Sequence, residues 1–158
     1  MSIMNIRQVG DPVLRSEAKK VKKITEKTID LLDNMAETMY EAEGIGLAAP
    51  QVGVLQNIFI VDVGNGLIEM INPEIIEREG NAIMEEGCLS VPEETGAVVR
   101  AEKIVIKAFN REGKKIKIKA EGLLARAMQH EYDHLKGVLF TDKVINEDEI
   151  AGIEIDNE

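Results

Sequence analysis

The spacing of hydrophobic residues changes several times along this chain, and each change marks an element. Over positions 25–44 the apolar residues Ile29, Leu32, Met35, Ala36 and Met39 recur at helical spacing. Thr25 stands as N-cap and Gly44 as C-terminal glycine, which predicts a first long helix between them. Ahead of it, Asp11-Pro12 reads as a turn into a short helical step. A loop, Gly44-Ile45-Gly46-Leu47-Ala48-Ala49-Pro50-Gln51, follows the helix. Strand-like segments come next at 57–63, 69–71 and 75–78. Positions 98–109 and 115–119 alternate around Asn110-Arg111-Glu112-Gly113, a hairpin with a four-residue connection. Ile116 and Ile118 against Lys115, Lys117 and Lys119 give that hairpin one buried and one wet face. Positions 121–136 form a second long helix, with Gly137 at its C′ position. Val138-Leu139-Phe140 is a last packed segment, and the acidic tail from 146 to 158 is expected to fray. The pattern predicts an α+β fold: mostly antiparallel sheets around the second helix, and another long helix near the N-terminus.

Composition narrows the picture. With 158 residues, 44% hydrophobic and 30% charged, the chain is expected to be one globular domain. Aromatics are only 3%, so Ile, Val, Leu, Met and Ala must build the core. No apolar run reaches the roughly 20 residues of a membrane span. The start, Met1-Ser2-Ile3-Met4-Asn5, lacks a signal-peptide pattern, and a single cysteine fits a reducing cytoplasm. A net charge of −10 argues against extended contact with nucleic acid or anionic lipid.

The chemistry concentrates in Gln129-His130-Glu131-Tyr132-Asp133-His134, which contains both histidines of the chain. On a helix, positions i and i+4 share a face, so His130 and His134 can hold one divalent metal. Glu131, beside the first of them, is placed as a general base. Two histidines leave a catalytic site one protein ligand short. A third histidine six residues on is excluded, because Phe140 stands there. A downstream acid such as Glu154 and the lone thiol of Cys88 remain open on the residues alone.

Three motifs then carry a resemblance. Gly44-Ile45-Gly46-Leu47-Ala48-Ala49-Pro50-Gln51, Glu86-Gly87-Cys88-Leu89-Ser90 and the His130–His134 motif resemble, in order, those of the bacterial peptide deformylases. The similarity runs over about 10–140 and includes the stretches around Arg100-Ala101-Glu102-Lys103 and Gly122-Leu123-Leu124-Ala125. The resemblance implies hydrolysis of the N-formyl group from newly made polypeptides that begin with formyl-methionine. It makes Cys88, His130 and His134 ligands of one divalent ion, commonly ferrous iron, with zinc, nickel or cobalt able to replace it. It makes Glu131 the base, and the Gln51 amide and Leu89 N–H the oxyanion donors. Extended substrate is expected along Gly44, Gly46 and Gly87. The methionine side chain is expected among Ile45, Met84, Leu123 and Ala127. Glu86 and Asp133 are expected to support the ligands from behind. Some members carry an arginine past the cysteine motif, where this chain has Glu94-Thr95-Gly96. Some end in a basic helix linked to ribosome docking, where this tail is acidic. The expected protein is a cytoplasmic monomer acting on nascent peptides, with at most transient ribosome contact and no nucleic-acid or membrane binding. The competing readings are an endopeptidase of the same motif and a formyl-peptide-binding relic, against which an intact Glu131 and Gln51 speak.

Overall fold

A computed structural model describes residues 2–152. Its helices are α1 (Glu26–Glu41), α2 (Gly122–Leu135) and the short α3 (Glu147–Ala151). Its strands are β1 (Gly46–Ala48), β2 (Ile58–Val61), β3 (Ile68–Glu79), β4 (Ala82–Cys88), β5 (Val91–Arg100), β6 (Lys103–Phe109) and β7 (Lys115–Glu121). One sheet has the order β1-β2-β3-β6-β7, a second pairs β4 with β5, and every pairing is antiparallel. The expected α+β architecture is what the chain adopts.

The two long helices cover opposite faces of the larger sheet, and alternation along the strands sorts the core between them. In β2, Phe59 and Val61 join Met70, Ile106, Ala125 and Met128 on the α2 side. Ile58 and Ile60 join Leu32, Met35, Met39 and Ile71 on the α1 side. β2 is therefore buried on both faces, which explains its unbroken apolar sequence. A smaller cluster of Leu14, Val91, Val98, Leu139 and Phe140 lies under the small sheet and holds Cys88 at its edge.

Several expected boundaries shift for identifiable reasons. The segment read as a loop at 44–51 contains β1 and a 3-10 turn, Ala49–Val52. The segments at 69–71 and 75–78 are one strand, β3, with register shifts on both sides of Ile75 and a left-handed Asn72 (φ +53). Positions 98–109 divide at Ala101, whose N–H and C=O are both taken by the Gln129 side chain (3.1 and 2.9 Å). Deprived of ladder partners there, the chain leaves the small sheet and enters the large one. Lys114 joins the hairpin turn, accepting from Asn110 N–H at 3.0 Å. The tail begins as α3, capped by the Asn146 side chain on Glu149 N–H at 2.8 Å. The remainder of the expected tail, including Glu154, lies outside the described residues.

Both long helices close with the same pair of backbone bonds. In α2, Gly137 N–H donates to His134 and Val138 N–H to Asp133, with Gly137 at φ +76 as expected. In α1 the left-handed residue is Glu43 (φ +58), not Gly44. Gly44 is needed one position later, where a Cβ would fall 2.7 Å from Leu89 Cδ1.

Gly113 shares the φ of +76 with Gly137, and the two differ in surroundings. A Cβ at Gly113 meets only Ile24 Cδ1 at 3.9 Å, whereas at Gly137 it falls 2.8 Å from the Arg15 backbone oxygen. Gly113→Ala should cost about 1 kcal/mol, the left-handed penalty alone. Gly137→Ala should cost at least about 1 kcal/mol more through overpacking. Urea unfolding of both variants checks this, and equal losses would mean that the helix end yields to the methyl group.

Candidate metal centre and active site

Four segments far apart in sequence converge on one cavity of about 520 Å³. Segment 43–46 and the turn that carries Gln51 form one wall, and β4 with the turn after it forms another. α2 supplies the floor with Leu123, Ala127, His130 and Glu131. Every residue expected at the site lines this cavity except Asp133 and His134, the latter almost wholly buried beside the Cys88 sulfur.

Cys88, His130 and His134 offer ligand atoms that all lie within 4.8 Å of one another. Helical periodicity places the two imidazoles on one face of α2, and the end of β4 brings the sulfur to them. His134 Nε2 is 3.3 Å from Cys88 Sγ. His130 turns its Nδ1 to Glu86 Oε1 at 2.9 Å, which leaves Nε2 facing the sulfur side. Burial, followed by the charges of His130 and Arg100, drives the His134 imidazole well below its ordinary pKa, so it stays neutral. Burial would lower His130 too, but the Cys88 hydrogen bond, the charge of Glu131 and the Glu86 hydrogen bond hold it up to about 10. A soft sulfur and two nitrogens that converge in this way fit a divalent transition metal.

Behind the cluster stands a group of buried ions. Glu86 accepts from Arg100 at 2.8 and 2.9 Å and also from Arg126. Arg100 reaches Asp133 at 2.6 Å, and Lys143 stands 3.4 Å from the same carboxylate. Glu86 thus orients His130, whereas Asp133 supports it only through Arg100. Burial pushes the Glu86 carboxyl up, but Arg100 and His130 more than reverse this and hold it far below the ordinary range. Arg126 went unnoticed in the sequence reading, as did the part that Arg100 plays. A signal was present: Arg126 stands four residues before His130, on the same helix face, and a buried acid requires a cation.

Glu131 is buried in the cavity wall, and its Oε1 has no hydrogen-bond partner among the described residues. Burial pushes its carboxyl up to about 7, against the pull of His130 and Arg100. That value suits a group that must accept and return a proton near neutral pH. Gly46 exists for this carboxylate, since a Cβ there would fall 2.6 Å from Glu131 Oε2. Gln51 is fixed at both ends. Its Oε1 accepts from Ala48 N–H at 2.9 Å, so its amide nitrogen points toward the site. That nitrogen donates to Ser90 Oγ at 3.0 Å and lies 3.6 Å from Cys88 Sγ. Ser90, part of the cysteine motif, had no assigned role in the sequence. Leu89 occupies the turn between β4 and β5 at the cavity edge.

A thiol and two imidazoles beside a buried carboxylate of raised pKa define the class, a metal-dependent hydrolase. Comparison with known proteins makes this specific. The family model described as polypeptide deformylase matches residues 3–149. The chain is 65% identical to the peptide deformylase of Halothermothrix orenii, over 92% of this chain and 96% of that one. It is 56% identical to that of Acetivibrio thermocellus, over 95% and 90%. The crystal structure of peptide deformylase from Thermotoga maritima superposes with a TM-score of 0.89 at 46% identity, covering 91% of this chain and 99% of that chain. The chain belongs to the peptide deformylase family.

The charge on Glu86 has a testable consequence. Its folded pKa is depressed, so the stability it contributes is full above the unfolded value of about 4.3 and drains as pH falls below it. Glu86→Gln should cost about 3–5 kcal/mol at pH 7, because two buried guanidiniums lose their counter-charge. The loss should be smaller at pH 3. Urea unfolding at the two pH values reads the difference, and equal losses would remove the charge from the explanation.

Proposed function

We propose that Cys88, His130 and His134 form the metal centre through which this peptide deformylase hydrolyses the N-formyl group of formyl-methionyl polypeptides, releasing formate. The observation that carries the assignment is the convergence of those three donors with the unpartnered Glu131 carboxylate in one cavity. When bound, a divalent cation at this position acidifies water and polarises the formyl oxygen. Glu131 takes a proton from the attacking water and returns it to the leaving nitrogen. The Gln51 amide nitrogen and the Leu89 N–H donate to the oxygen that gains charge as the formyl carbon becomes tetrahedral. Gly44, Gly46 and Gly87 let an extended peptide approach main chain to main chain. Ile45, Met84, Leu123 and Ala127 receive the methionine side chain.

The working ion in this reading is ferrous iron, which the family resemblance favours; zinc, nickel and cobalt suit the same mixed donors. The chain acts as one catalytic domain, monomeric and cytoplasmic, on nascent peptides. Ribosome contact, if made, is transient. Among the described residues no helix is long and apolar enough to cross a membrane.

Protein purified anaerobically with iron should release formate from formyl-Met-Ala-Ser and leave casein uncut; the reverse result would make it an endopeptidase. Glu131→Gln preserves size and removes the base, so turnover should fall by at least about 10²-fold while metal stays bound. Near-normal turnover would take Glu131 out of the mechanism. Cys88→Ser replaces a soft anionic ligand with a neutral hydroxyl and should lose most of the metal on purification. Metal analysis decides this without an activity assay, and full occupancy in that variant would exclude Cys88 as a ligand.

A further inference from the structure

The three donors sit on two parts of the fold that share little apolar core. α2 carries His130 and His134, and it packs Ala125, Ala127, Met128 and Leu135 into the core of the larger sheet. β4 carries Cys88, and its partner β5 packs Val91 and Val98 against Leu14, Leu139 and Phe140. Among the described residues no α2 side chain belongs to that second cluster, although the His130 ring stacks on Phe140 with centroids 6.1 Å apart. The separation of the sulfur from the imidazoles is therefore set largely by polar ties between α2 and the small sheet.

Arg126 provides such a tie from one turn before His130. Its Nη2 donates to the Ala82 carbonyl at the start of β4 at 2.9 Å, and its Nη1 to the Val98 carbonyl on β5 at 3.1 Å. Nη1 also donates to Glu86 Oε2, on the strand that ends in Cys88. One buried, planar guanidinium thus holds two main-chain carbonyls on paired strands and a carboxylate at once. Glu86 is saturated in turn. Its Oε1 meets Arg100 Nη2 and His130 Nδ1, both at 2.9 Å, and its Oε2 meets Arg100 Nε at 2.8 Å and Arg126. A carboxylate offers about four acceptor positions, and with all of them filled the group has one orientation. Arg100 grips both oxygens evenly, so without Arg126 the pull of His130 on Oε1 has no counterpart on Oε2.

We propose that Arg126 is a positioning residue for the deformylase reaction: by clamping β4 to α2 it holds Cys88 and His130 in place for one metal ion. The inference rests on the reading of Cys88, His130 and His134 as the metal centre. Arg126 acts through the β4 main chain and through Glu86, not on a reacting atom. Partners behind metal ligands govern how firmly the ion is held. A residue that fixes the ligands affects turnover more than substrate binding. A plain structural strap would lower stability and leave both of these unchanged in the folded protein. The fork of the guanidinium is essential to the role, because a lysine ammonium carries the same charge as a single point.

Cobalt-loaded protein tests this, with the visible cobalt bands, their loss to EDTA, and formate release from formyl-Met-Ala-Ser as readouts. Arg126→Met should lose cobalt about tenfold faster than the unaltered protein, and its bands should shift as the donor geometry changes. Its kcat should fall about tenfold while KM moves by less than about twofold. Arg126→Lys keeps the charge opposite Glu86 and decides the matter if Arg126→Met does not fold. It should still lose cobalt severalfold faster, since one ammonium cannot span the carboxylate and both carbonyls. Arg111→Met is the control: it removes a guanidinium bonded to Asp33 and Glu69 outside this cavity. It should lower resistance to urea and leave the cobalt bands and their loss unchanged. Unchanged bands and cobalt retention in folded Arg126→Met would reduce Arg126 to a structural strap and overturn the proposal. Full retention in Arg126→Lys would overturn it as well, and so would equally fast loss in Arg111→Met. Failure of the unaltered protein to hold cobalt or release formate would overturn the metal-centre reading and the proposal with it.

Discussion

Glu86 is the point on which the rest of the site depends. A carboxylate this deep in a protein costs several kcal/mol unless opposite charge and hydrogen bonds surround it. Arg100, Arg126 and His130 provide both, and they come from β5 and α2 while Glu86 comes from β4. Satisfying one buried charge therefore fixes the small sheet against the catalytic helix. It also sets the His130 ring so that Nε2, rather than Nδ1, faces the other two donors. The arrangement of the three candidate donors is thus a by-product of charge balance in the layer behind it.

The remaining precision comes from backbone approach. Two parts of the site touch where an added Cβ would meet a neighbour under 3 Å, Leu89 over Gly44 and Glu131 over Gly46, and Arg15 over Gly137 does the same at the end of α2. The larger sheet supports this by being rigid from both sides, with β2 packed between α1 and α2. β1 hangs on β2 with Gly46 opposite Val61, so the wall that carries Gly46 and leads into Gln51 inherits its position from the core. Gln51 adds a local constraint, because the Ala48 N–H donates to its Oε1 and so fixes one orientation of its amide.

Charge is divided between the inside and the mouth of the cavity. Inside, Glu86 is paired with Arg100 and Arg126 and Asp133 with Arg100 and Lys143, while Glu131 keeps an oxygen without a hydrogen-bond partner among the described residues. At the mouth, Glu43, Glu85, Glu93 and Glu94 make no ion pair among the described residues. The first arrangement holds groups in place, and the second leaves charge available to whatever arrives.

Much of this was legible along the chain. The helical period of 25–44 and of 121–136, the alternation of 115–119 and the i, i+4 histidines depend on local geometry, which sequence spacing encodes directly. The family was recognisable from its motifs, and Cys88, His130 and His134 stood out as candidate donors by type and spacing. The sequence did not reveal the junction at Ala101, where the side chain of Gln129, 28 residues later, takes the backbone bonds. It also did not show that Arg126 and Arg100 share one carboxylate, or that Glu43 rather than Gly44 turns left-handed at the end of α1. Those features arise from contacts between segments distant in sequence. Local pattern constrains a residue's face and period, while its partners are decided only when packing brings separate elements together.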